Sequence, residues 1–90
     1  MTTSNGRRVY PRESDGHLYL QPGDYGKDAE GMWHARPPNG SHGGALIDHK
    51  VIEHEDGTIT VSPSLVLYPA NNGKIPGYHG YLERGVWREV

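Results

Sequence analysis

Two strand-turn-strand patterns in the second half of the chain, Asp48–Val90, constrain the fold more than any other feature. In the first pattern, Lys50–Glu55 and Thr58–Ser62 flank Asp56-Gly57, a dipeptide typical of two-residue hairpin turns. No stretch of the sequence combines the apolar periodicity of an amphipathic helix with helix-capping residues at its ends. We therefore expect an all-β fold: a small, mostly antiparallel sheet of hairpins with little or no helix.

A two-residue turn at Asp56-Gly57 fixes the expected register of the first hairpin. It predicts that Ile52 lies opposite Val61 and that His54 lies opposite Ile59. Since side chains alternate along a strand, these four would share one nearly apolar face and leave the other face polar. Such a separation of apolar and polar faces is typical of an antiparallel sheet with one face exposed to solvent.

The second hairpin has Tyr78–Glu83 and Val86–Val90 on either side of Arg84-Gly85. Arginine is a poor residue for the positive φ angle of a two-residue turn, so a longer bulged loop stays open as an alternative. With a two-residue turn, Leu82 would face Trp87 across the strands. The residues expected in the core are Ile52, Ile59, Val61, Leu65, Leu67, Leu82 and Trp87.

Between the hairpins lies Ser62-Pro63-Ser64. Pro63 has no N–H and is expected to end the first ladder, after which Leu65–Tyr68 forms a short strand. Ser62 or Ser64 beside His79 could be imagined as a nucleophile. The segment lacks the glycine pattern of a nucleophile elbow, which favours hydrogen bonding to the backbone instead.

The N-terminal part of the chain is poor in aliphatic residues. Residues 1–44 contain only Val9, Leu18 and Leu20 of the 16 Leu, Ile and Val residues in the chain. Such a segment buries too little surface to order by itself. We expect one domain, with residues 1–36 as an extended Gly/Pro-rich arm with short strands and 37–90 as the β-hairpin domain. The arm is expected to pack on another chain; the alternative is that it folds back on its own sheet.

Composition makes several function classes unfavourable. The chain has no cysteine, which excludes disulfides, thiolate metal sites and thiol nucleophiles. A net charge of −2 with dispersed basic residues argues against nucleic-acid binding. No apolar run reaches the length of a membrane span, and there is no signal-peptide pattern. We therefore expect a cytoplasmic protein without a cofactor, a membrane partner or an enzymatic activity.

Aromatic residues point to protein contacts. Six Tyr and two Trp, with no Phe, are many for so thin a core. Tyr and Trp combine apolar area with a polar group and are favoured at interfaces. The candidate interface residues are Tyr10, Tyr19, Trp33, Tyr78 and Tyr81.

Histidines give the alternative interpretation, a small-ligand or metal site. The candidate ligands are His42, His49, His54 and His79, together with the Gly40–Gly44 loop, whose amides could form an anion nest. Their spacing matches no metal motif, which favours scattered surface histidines.

Three short motifs carry a resemblance to a known group of proteins. The motifs are Thr60–Leu65 (TVSPSL), His79–Leu82 (HGYL) and Gly85–Trp87 (GVW). Together they resemble a family of small phage and actinobacterial proteins, over roughly residues 33–90. Many members carry cysteines that suggest a metal knuckle, in a region similar to Trp33–Gly44, and this chain has none there.

The resemblance implies a phage or mobile-element context, and hence a location in the host cytoplasm or the virion. Taken with the aromatics, it predicts a non-enzymatic interaction protein. Such a protein would dock onto a larger assembly, a host target or a second copy of itself. The alternative remains a protein that binds a metal or a small ligand.

Overall fold

The computed structural model describes residues 3–90, and all the regular structure in that range is strand. The all-β expectation is therefore confirmed. The strands are β1 (Thr3–Asn5), β2 (Arg7–Val9), β3 (Asp24–Lys27), β4 (Trp33–Ala35), β5 (Gly44–Ala45), β6 (Lys50–Glu53), β7 (Ile59–Leu67), β8 (Tyr78–Glu83) and β9 (Val86–Glu89).

These strands form two sheets. The five-stranded sheet has the order β1-β9-β8-β7-β6 and is antiparallel throughout. The four-stranded sheet has the order β2-β3-β4-β5, in which β2 and β3 are parallel and the other pairs antiparallel. The side chains of Trp87, Tyr25, Ile59, Leu65 and Leu82 are almost fully buried in one core, to which both sheets contribute.

The first hairpin lies where the sequence predicts it, but its register differs by one residue. Glu53 lies opposite Ile59, and Ile52 lies opposite Thr60. The His54 N–H donates to the Thr58 carbonyl, so the loop between them has three residues instead of two. Only Gly57 takes a positive φ angle there (89°), as in the type I turn with a glycine bulge that closes three-residue hairpins.

That shift reverses the two faces of β6. Val51 now packs against the core, while Ile52 is 45% exposed. The prediction that Ile52 is a core residue is therefore wrong, because a slip of one residue moves every side chain of a strand to the other face. His54 likewise leaves the apolar face, and its Nε2 lies 2.7 Å from Thr60 Oγ1. Leu67 is only partly buried at the edge of the core.

The second hairpin has the two-residue turn, and Leu82 pairs with Trp87 as predicted for that case. Arg84 and Gly85 have φ angles of 46° and 78°, both positive as in a type I′ turn. A positive φ costs a non-glycine residue roughly 1–2 kcal/mol. Two hydrogen bonds to β7 offset this cost, because the Arg84 N–H donates to Thr60 Oγ1 and the Gly85 N–H donates to the Ile59 carbonyl.

Residues 3–36 pack against the C-terminal half of the same chain. Strand β1 extends the five-stranded sheet beside β9, and Tyr25 and Ala35 enter the core. Trp87 Nε1 donates to the Gly23 carbonyl at 3.0 Å, in a buried hydrogen bond. Strand β4 pairs with β5, across the predicted boundary at residue 36. The prediction that the arm packs on another chain stays a prediction.

Candidate functional site

The backbone of Ser64–Tyr68 has a strand on only one side. Leu65 and Leu67 pair with Gly80 and Tyr78 of β8. The His79 carbonyl accepts a hydrogen bond from Val90 on the far side of β8, so the backbone groups of Tyr78 and Gly80 point back toward β7. Because neighbouring residues of a strand point their N–H and C=O to opposite edges, Val66 points away from β8.

On that other side of β7, β6 ends where Lys50 lies opposite Ser62. No further strand of the described chain continues the ladder past this point. The Ser64 carbonyl receives only a side-chain contact, from His49 Nε2 at 3.3 Å. We call this side of Ser64–Tyr68 the open edge, since the N–H and C=O of Val66 have no partner strand there.

A groove of about 390 Å³ runs along the open edge. Residues 42–49 form one wall and residues 65–68 the other. Three large apolar side chains that line it are exposed: Tyr68 (78%), Ile47 (71%) and Val66 (64%). The site thus combines unpaired backbone groups with apolar side chains, the two features that an extended peptide can use.

Of the aromatics that the sequence predicts at an interface, Tyr10 and Tyr19 are the most exposed. The guanidinium of Arg12 lies 4.5 Å from the Tyr19 ring, and that of Arg8 lies 4.7 Å from the Tyr10 ring. Trp33 is half-buried, with the Arg8 guanidinium 4.8 Å from its ring. These contacts hold the exposed rings in place, so Tyr10 and Tyr19 remain candidate contact residues outside the groove.

The other two predicted aromatics belong to the five-stranded sheet. Tyr81 is half-buried under the Arg88 guanidinium, 4.5 Å from the ring centre. Tyr78 is only 3% exposed and packs edge-on against Trp87, and burial raises the pKa of its hydroxyl. A β-carbon at position 80 would lie 2.8 Å from the Tyr78 ring, so Gly80 makes the room that buries it. We therefore correct the assignment of Tyr78, which is a core residue and presents no surface to a partner.

Among residues 3–90, no three His, Asp or Glu side chains lie close enough together to hold a metal ion. The structure therefore does not assemble His42, His49, His54 and His79 into one site. His42 lines the groove at the open edge, and so does His49. His54 is bound to Thr60 on the far side of the first hairpin.

Ser64 and His79 do meet, with Oγ and Nε2 3.2 Å apart on the exposed face of the sheet. No carboxylate of the described residues bonds the other nitrogen of His79, so the third member of a catalytic triad is missing. The sequence favoured hydrogen bonding of the serine to the backbone, whereas the Ser64 hydroxyl contacts the side chain of His79.

Ile47, Val66 and Tyr68 were not among the residues that the sequence analysis proposed for binding. No local pattern in the sequence marks them. The first hairpin pairs a short strand, β6, with a longer one, β7, which runs from Ile59 past Pro63 to Leu67. Beyond the end of the short strand, the remaining residues of the long strand have a neighbouring strand on one side only.

The chain matches no protein-family model, no curated protein and no solved structure. The resemblance to small phage and actinobacterial proteins therefore stays a prediction. No helix that could cross a membrane occurs within residues 3–90.

Proposed function

We propose that this chain is a non-enzymatic interaction protein that docks onto a protein partner by adding a strand of that partner to its open edge. The observation that carries the proposal is the unpaired backbone of Val66 beside the exposed side chains of Ile47 and Tyr68. Strand addition to a free sheet edge is a common mode of peptide recognition: the backbone supplies hydrogen bonds, and neighbouring pockets select side chains.

The composition of the open edge favours this role. Proteins usually protect a bare edge with charged residues, proline or a covering loop, because it can pair with other chains. Ser64–Tyr68 reads SLVLY and contains no charged residue. Pro63 and Pro69 stand directly before and after it, so the stretch that can pair is short and defined at both ends.

The partner is an extended apolar segment of a protein, supplied by a larger assembly or by a second copy of this chain. The resemblance to phage proteins favours a virion component or a host target. Tyr10 and Tyr19 lie outside the groove and would add contacts to a large partner. We propose no nucleic-acid or membrane partner.

Val66→Pro is the variant that tests the proposal. Proline removes the N–H that points to the open edge, while the ladder with β8 uses Leu65 and Leu67 and stays intact. Val66→Thr is the matched control, since threonine is also β-branched and keeps the N–H. We expect wild-type protein and Val66→Thr to co-purify the same partner from the native source, and Val66→Pro to lose it.

Sedimentation velocity over a range of concentrations distinguishes a second copy from a different partner. If the partner is a second copy, wild type and Val66→Thr should dimerise and Val66→Pro should stay monomeric. The proposal fails if Val66→Pro, shown to be folded by its NMR spectrum, binds the same partner as strongly as wild type.

A further inference from the structure

Two adjoining hollows lie on the face of the four-stranded sheet that points away from the core. Tyr25 and Ala35 face the core, so their neighbours Gly26 and His34 face outward. Leu18 covers Gly26, where an added β-carbon would lie 3.2 Å from the leucine Cδ1. The hollows, of about 330 and 590 Å³, share Leu18, Leu20 and His34 as walls. Volumes of this size are typical of small-molecule sites.

The polar group at their junction is a histidine oriented by a carboxylate. His34 Nε2 lies 2.8 Å from Asp28 Oδ2. The other oxygen, Oδ1, accepts the backbone N–H groups of Glu30 and Met32, both at 2.9 Å. These hydrogen bonds, first of all the one from His34, hold the pKa of Asp28 below its ordinary value. Asp28 is therefore an ionised, fixed acceptor.

An ionised carboxylate can only accept, so it keeps the imidazole proton on Nε2. In neutral His34 the other nitrogen, Nδ1, is then a hydrogen-bond acceptor. Nδ1 has no partner among residues 3–90, and the His34 side chain remains 30% exposed at the hollows. Neutral His34 thus has one free acceptor, in a residue that lines both hollows beside the apolar side chains of Leu18 and Leu20.

We propose that these hollows bind a small neutral molecule with an apolar body and one hydrogen-bond donor, which His34 Nδ1 accepts. Leu18, Leu20 and Ala29 would contact the apolar body. Asp28 and Glu30 line the smaller hollow and disfavour an anion there. In the larger hollow the Arg36 guanidinium already donates to the carbonyls of Leu20 and Gly40. This ligand site is separate from the open edge and does not depend on the proposed docking function.

Phenol and anisole are suitable probes, because they share a ring and only phenol carries an O–H donor. We expect NMR titration of wild-type protein to show saturable shifts at His34 and at the Leu18 and Leu20 methyl groups. For a fragment of this size the dissociation constant should be on the order of millimolar. Phenol should bind about fivefold more tightly than anisole, the effect of one net hydrogen bond.

Asp28→Asn changes the acceptor without removing the side chain. The amide oxygen would continue to accept from Glu30 and Met32, so the amide NH₂ would face His34 and move the imidazole proton to Nδ1. Nδ1 would then donate, and the preference for phenol should disappear. Asp56→Asn is the matched control, since Asp56 also accepts a backbone N–H, from Thr58, but lies away from the hollows.

Long-range nitrogen-proton NMR reads the tautomer of His34 directly. The proposal predicts the Nε2–H form in wild type and in Asp56→Asn, and the Nδ1–H form in Asp28→Asn. It is overturned if wild-type His34 carries its proton on Nδ1, if phenol and anisole bind alike or not at all, or if Asp28→Asn retains the preference. Should Asp28→Asn fail to fold, His34→Phe takes its place; phenylalanine keeps a ring at this position but has no acceptor, so this variant must lose the preference for phenol.

Discussion

The two halves of strand β7 share one neighbour and differ in the other. Both lie against β8, but only Ile59–Ser62 is also covered by β6, and the half from Ser64 onward ends in the open edge. The inner face is buried in both halves, at Ile59 and Val61 in one and at Leu65 in the other, while Val66 points outward and is 64% exposed. The paired half therefore has its backbone hydrogen bonds satisfied on both sides, whereas the half from Ser64 onward has a partner strand on one side only.

The largest contrast is expected from truncating one side chain in each half. Ile59 is fully buried in the core, so Ile59→Ala should lower the free energy of unfolding by about 2–4 kcal/mol. Val66→Ala removes an exposed side chain and should change it by roughly 0.5 kcal/mol or less. Chemical denaturation of both variants measures the difference, and equal losses would refute the placement of Ile59 in the core and of Val66 on the surface.

A smaller contrast concerns the hydroxyl groups on the outward face of β7. Thr60 Oγ1 accepts the Arg84 N–H at 3.0 Å and lies 2.7 Å from His54 Nε2, so it joins the two hairpin turns. Thr60→Val should cost about 1 kcal/mol of stability, the net value of a hydrogen bond. Ser64→Ala, in the open half, loses only the exposed contact with His79 and serves as control. A Thr60→Val protein as stable as wild type would show that the turns are held by other contacts.

The smallest effect is on stability at acidic pH, and it comes from Asp56 in the loop of the first hairpin. Hydrogen bonds from the Thr58 hydroxyl and N–H lower the pKa of Asp56 below its ordinary value of 3.8. The folded protein therefore binds this proton more weakly than the unfolded chain. The stability that Asp56 contributes is complete above pH 3.8 and is lost as the pH falls through the lower folded-state pKa.

Asp56→Asn should flatten the acid side of the stability curve, measured as the denaturant midpoint against pH. Thr58→Val keeps the carboxylate and the backbone donor but removes the hydroxyl donor, so it should flatten the curve less. An acid slope in Asp56→Asn as steep as in wild type would contradict the assignment.

The sequence predicted the two hairpins because their signals are local. Alternating apolar residues and a glycine in each turn were sufficient for element type, and the Leu82–Trp87 pair followed for the case of a two-residue turn. The register of the first hairpin was wrong because Asp56-Gly57 fits both a two-residue and a three-residue loop, and the choice moves Ile52 from core to surface. Arg84 was ambiguous for a related reason: its positive φ is stabilised by Thr60 and Ile59, which are distant in sequence.

Pairings and contacts between residues distant in sequence are not indicated by any local sequence pattern. The parallel pairing of β2 with β3 joins segments separated by an irregular loop, and no residue pattern in Arg7–Val9 indicates it. The burial of Tyr78 depends on the missing side chain of Gly80. The open edge follows from the unequal lengths of β6 and β7, which become known only when the register is known.

Amide hydrogen exchange, resolved by residue, tests whether the sheet edge at Val66 is open. Thr60 and Val66 point their N–H groups to the same side of β7, but only Thr60 has a partner there, Ile52 of β6. In dilute protein we expect slow exchange of the Thr60 and Leu65 amides. The Val66 amide should exchange nearly as fast as in an unfolded chain. A Val66 amide as well protected as that of Thr60 in a monomer would mean that the edge is already closed, and would contradict the account.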